Sequence, residues 1–85
     1  MNEEKEKGQN PLGAGELHYW QFGKNPTNFN SHIFILLQKA DATNRYRIAS
    51  GWPWLYFAWR EWTECESQET YFERYGLPLN GDKYS

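Results

Sequence analysis

The stretch Pro53–Trp62 reads Pro-Trp-Leu-Tyr-Phe-Ala-Trp-Arg-Glu-Trp, and its spacing decides the fold class. Leu55, Ala58, Trp59 and Trp62 recur at i, i+3, i+4 and i+7, one inward face of a helix with 3.6 residues per turn. Pro53 suits the first helical position, where its missing N–H costs no hydrogen bond. Trp52, Trp54, Tyr56 and Phe57 lie off that stripe. A helix apolar all round must be covered all round, and a small domain has few places to do that. These four residues are therefore the candidate protein-binding surface, because Trp and Tyr are enriched among residues that dominate interface energies.

Working towards the C-terminus, the apolar stripe falters between Thr63 and Ser67, either of which can cap a new helix. A last helix is predicted over Gln68–Tyr75, presenting Tyr71, Phe72 and Tyr75. Gly76 can take the left-handed conformation that ends it, with Leu77 folding back and Pro78 preventing continuation. Towards the N-terminus, Asp41 can cap a short helix through Ser50 with Ala42, Tyr46 and Ala49 inward, and Gly51 is placed to end it. Before that, Phe29, Ile33, Leu36, Leu37 and Ala40 mark one face of the clearest helix. Thr27 or Asn28 is its cap, and Phe34 and Ile35 widen its apolar side. Glu16–Phe22 alternates instead, with Leu17 and Tyr19 against His18, Trp20 and Phe22, which reads as an extended strap laid over helices.

The expected fold is all-α: a compact bundle of three or four short helices with an N-terminal extended strap. Residues 1–15 are too polar and too rich in Pro and Gly to bury apolar surface, so they are expected to be a disordered N-terminal tail. Residues 16–79 form the helical domain, and 80–85 a flexible C-terminal tail. A core of about 60 residues buries only about 60% of its unfolded surface. The single Cys65 allows no internal disulfide, so the staple is aromatic: five Trp, six Tyr and five Phe, each able to bury about 150–250 Å².

Charge is segregated along the chain. Residues 17–60 carry Asp41 against Lys24, Lys39, Arg45, Arg47 and Arg60, whereas residues 61–85 carry six acids against Arg74 and Lys83. The basic segment makes Lys39, Arg45 and Arg47 a possible nucleic-acid contact. The helix after Gly51, however, is aromatic where a recognition helix must offer polar groups to base edges. A chain of net charge −2 with few cations would bind phosphates weakly.

Other chemistry finds no support in the residues. His18 and His32 lack metal-ligand spacing, so no metal and no cofactor is expected. Cys65 lies between Glu64 and Glu66, which disfavour its thiolate. Glu61, Glu64, Glu66, Glu69 and Glu73 read as a solvated helix surface, with Arg60 and Glu64 spaced to pair at i, i+4. No Gly-rich phosphate loop is present, and neither an enzyme nor a small-molecule substrate is expected. The first residues show no apolar run, so no export leader is expected, and the longest apolar run, Trp52–Trp59, is far short of the roughly 20 residues that span a membrane. One cysteine and no glycosylation sequon suit a reducing compartment. The expectation is thus a cytoplasmic, non-enzymatic module that binds a protein partner or forms a homodimer. In size, composition and acidic start it resembles the small accessory proteins of phages and mobile elements.

Overall fold

Asn28, Asp41 and Ser67 each begin a helix by the same local chemistry, a side-chain oxygen accepting a backbone N–H from three residues ahead. The partners are Ser31 at 3.4 Å, Asn44 at 2.9 Å and Thr70 at 3.2 Å. The computed structural model describes residues 13–85. Among these it contains α1 (Ala14–Phe22), α2 (Phe29–Lys39), α3 (Ala42–Gly51), α4 (Pro53–Glu64), α5 (Gln68–Arg74) and a closing 3-10 turn, Asp82–Tyr84. The chain is all-α, with five helices rather than three or four and no strand among the described residues.

The extended strap is overturned, because Glu16–Phe22 lies within α1. Ala14, Leu17 and His18 are fully buried at helical spacing, while Trp20 and Phe22 also pack on the core. A helix covered on several sides needs no single apolar stripe, and its residues then mimic alternation. Of the tail expected over residues 1–15, residues 1–12 lie outside the described residues. Gly13 is a turn at φ 95°, and its carbonyl accepts the first helical bond from Leu17 at 2.9 Å.

α2 is central, and its buried face is rotated from the expected one. Ile33, Phe34 and Leu37 are buried where α1 and α4 pack on it, and Trp20 stacks on Phe34 at 5.3 Å. Phe29 and Leu36 are instead 60% and 50% exposed. α3 is also turned from expectation. Ala42 is exposed, Tyr46 is 75% exposed, and no α3 residue is fully buried. Its partly buried side chains are Arg45, Ile48 and Ala49, so of the three residues expected inward only Ala49 is. The Arg45 Nε–H donates to the Leu37 carbonyl at 3.0 Å, and its guanidinium sits 4.8 Å above the Trp59 ring. Gly51 does not take the left-handed conformation. α3 runs through it, and Trp52 makes the turn into α4, with Pro53 at the first position.

α4 buries Leu55, Ala58, Trp59 and Trp62, the stripe read from the sequence. It stops at Cys65, so Pro53–Tyr75 is two helices. α5 closes with Gly76 at φ 70° and with the Leu77 N–H donating to the Phe72 carbonyl at 2.8 Å, which brings Leu77 into the core. Arg74 and the Tyr75 hydroxyl both donate to Glu61 Oε2, tying α5 to α4.

The segment read as a C-terminal tail folds back onto α1. The Pro78 carbonyl can only accept, so His18 Nε2–H donates to it at 2.7 Å, leaving Nδ1 to accept from the Tyr84 hydroxyl at 2.6 Å. Tyr84→Phe strands Nδ1 of a fully buried imidazole and is expected to cost about 1–3 kcal/mol. Urea denaturation measures it, and an unchanged midpoint would show that Tyr84 does not hold the segment down.

Burial raises the Tyr71 and Tyr75 hydroxyls above their usual range, with the Glu61 charge adding to both, and burial raises Tyr84 likewise. The folded chain therefore holds these protons more tightly than the unfolded chain. Their contribution to stability is complete below the ordinary tyrosine value of about 10 and is lost as pH rises above it. Urea midpoints followed alongside tyrosinate absorbance are expected to stay level up to about pH 9.5 and then fall. A level midpoint through about pH 11 would contradict this.

Candidate protein-binding surface

α4 has two faces with different fates. Leu55, Ala58, Trp59 and Trp62 complete the inner one, and Trp59 also donates its Nε1–H to Gln38 Oε1 at 2.9 Å. On the outer one, Trp54 is 38% and Phe57 59% exposed. They stand three residues apart, one turn of the helix, and so form a short aromatic ridge.

The four candidate residues are not one patch. Trp52 leaves the ridge and meets Phe29 of α2 with ring centroids 5.5 Å apart. Tyr56 is partly buried between Trp59, at 6.2 Å, and Phe57, at 5.4 Å, where it props the Phe57 ring. Beside Phe57 a groove of about 460 Å³ is lined by Arg60, Glu61, Glu64, Cys65 and Arg74. Its charges are matched in pairs: Arg60 with Glu64 at 3.1 Å and Arg74 with Glu61. Each carboxylate holds its guanidinium proton more firmly, raising both arginines above their ordinary value. Glu64, Glu66, Glu69 and Glu73 are exposed, Glu61 is partly buried, and Cys65 is a partly buried helix cap. His18 is enclosed between α1 and the C-terminal segment, and His32 is exposed.

Lys39, Arg45 and Arg47 do not share one surface either. Lys39 and Arg47 line a second groove, of about 310 Å³, with Leu36, Ala40, Asn44 and Ile48. Arg45 is engaged by Leu37 and Trp59, as described above. Sequence reasoning placed Phe29 and Leu36 in the core and so missed this surface. The available signal was the width of the apolar sector of α2, since Phe29, Ile33, Phe34, Ile35, Leu36 and Leu37 exceed what one packing face uses.

No helix among the described residues is long and apolar enough to cross a membrane. Comparison with known proteins finds no protein family, curated protein or solved structure that matches the chain.

Proposed function

We propose that this domain is a non-enzymatic protein-interaction module of the cytoplasm, binding another protein or a second copy of itself through the outer aromatics of α4. The observation that supports this reading is the exposure of Trp54 and Phe57 beside an inner stripe already complete without them. Rigid aromatic side chains left in solvent cost solubility, and their common use is as anchors in a contact. The paired charges around Phe57 would form the polar rim such an anchor needs.

The alternative, weak nucleic-acid binding, draws on Lys39 and Arg47, since the Arg45 side chain is spent inside the fold. Two phosphate contacts would give weak affinity that salt removes. It would also leave the outer face of α4 without a role.

Trp54→Ala and Phe57→Ala test the proposal. Each is expected to change stability by less than about 1 kcal/mol, as for surface positions generally, and to abolish self-association or partner capture. Thermal melts with light scattering over a concentration series, and partner capture by the intact domain, read both halves. Destabilisation as large as that of Trp59→Ala, with association unchanged, would make both side chains core residues and remove the proposed contact.

A further inference from the structure

The outer seam between α2 and α3 leaves two apolar side chains of α2, Phe29 and Leu36, exposed. The two helices run antiparallel: Phe29 at the start of α2 meets Trp52 at the end of α3, and Leu36 shares a groove with Ile48. Phe29 and Leu36 are two turns apart and on one face of α2, and Trp52, the residue that ends α3, donates its N–H to the Ile48 carbonyl. Together they line a strip roughly 10 Å long, seven residues at 1.5 Å each, apolar at both ends with the exposed His32 between Phe29 and Leu36. At the hairpin end the strip is bounded by Lys39 and Arg47. Neither has a carboxylate within ion-pair distance among the described residues. Asp41, the acid next to them in sequence, is occupied in capping α3. α3 packs on both α2 and α4, yet none of its residues is fully buried.

We infer that this seam is a second docking surface, separate from the α4 ridge, and that its occupant is an amphipathic helix of a partner protein with acidic residues beside its apolar face. A groove between two helices accepts a third by inserting anchors at i, i+3 or i+4, and i+7, and the strip is long enough for two turns of such anchors. Acidic side chains on the partner meet Lys39 and Arg47, the latter held in place by its hydrogen bond to the Asn44 Oδ1 at 3.2 Å. A second copy of this chain fits less well, because a twofold contact brings two basic rims into one interface with no acid between them. A nucleic acid fits less well too, since its backbone would cover Leu36 and Ile48 without replacing their lost water by apolar contact.

The test is selection from a displayed library of helical peptides with leucines fixed at i, i+4 and i+7 and the remaining positions drawn evenly from Glu, Lys, Gln and Ala. The full chain is the bait. Enrichment of Glu is expected, and the selected peptide should bind at least about tenfold more weakly to Leu36→Glu and about fivefold more weakly to Arg47→Glu and to Lys39→Glu, with circular dichroism confirming that each variant is folded. Lys24→Glu removes a cation of the same basic segment outside the groove and should change affinity by less than about twofold. Absence of enrichment, enrichment without acidic bias, or equal losses in Lys24→Glu and Arg47→Glu each overturn the inference. So does tighter binding of a short duplex or single strand than of the selected peptide at physiological salt, or dimerisation of the free chain that Leu36→Glu abolishes.

Discussion

Trp59→Ala is expected to cost about 3–5 kcal/mol, the range for removing a core aromatic ring, and to leave much of the chain unfolded. Trp59 is 6% exposed at the place where α2, α3 and α4 converge. Truncation removes one of the two indole rings that α4 buries in the core. It also leaves Gln38 without the indole N–H and Arg45 without the face it covers. A chain of this length has a total stability on the order of 5–10 kcal/mol, so the loss is a large part of the whole. Trp59→Phe separates the contributions: it keeps most of the apolar body, gives up the hydrogen bond, and is expected to cost roughly 1–2 kcal/mol. Urea denaturation of the two variants checks both figures. A loss below about 1 kcal/mol for Trp59→Ala would show that the helices do not meet at this residue.

Gly13→Ala is expected to cost about 2–4 kcal/mol, combining a left-handed backbone with overpacking. Gly13 has φ 95°, and a Cβ there would stand 2.6 Å from the Trp54 carbonyl oxygen and 2.8 Å from the Ala58 Cβ. Both obstacles belong to α4 and sit beside buried residues, so relief requires α1 to lift from its seat. Lifting α1 uncovers Ala14 and Leu17, each fully buried. Gly15→Ala is the internal control. Among the described residues no side chain or other element comes within 4 Å of its added Cβ, and a helical glycine replaced by alanine is expected to gain up to about 1 kcal/mol. Chemical denaturation of both variants distinguishes a docked α1 from a loose one: similar small effects at the two positions would mean that α1 is not seated on α4.

What could be read from the sequence was the chemistry that acts over four or five residues. Asn28, Asp41 and Ser67 cap their helices, Gly76 and Leu77 close α5, and the Leu55–Trp62 stripe faces inward, because each depends on spacing along one helix. The errors lie where a distant element decides. α2 has more apolar surface than one neighbour covers, and the positions of α1 and α4 choose Phe34 over Phe29 and Leu36. Arg45 turns inward because its long stem packs while its charged end finds the Trp59 ring and a helix-end carbonyl, whereas polarity alone directs arginine outward. His18 and Tyr84 are joined across 66 residues of sequence, beyond any local pattern. For the proposed surface, the sequence pointed to α4 but could not divide its aromatics. Whether Trp52 joins Phe29 or Trp54 depends on the turn at Trp52, where α3 continues through Gly51.

The contact surface proposed for this domain is the outer face of α4, where Trp54 and Phe57 are exposed. The most direct measurement places a photo-reactive phenylalanine analogue at position 57 of the full chain in its native cells, with the same analogue at position 73, a solvent-exposed site on α5, as the reference. The account predicts that illumination joins position 57 to one protein species, a partner or a second copy of the chain, and that Trp54→Ala suppresses this product while the fold persists. Cross-links that are absent at position 57, or that form equally from position 73, would contradict it.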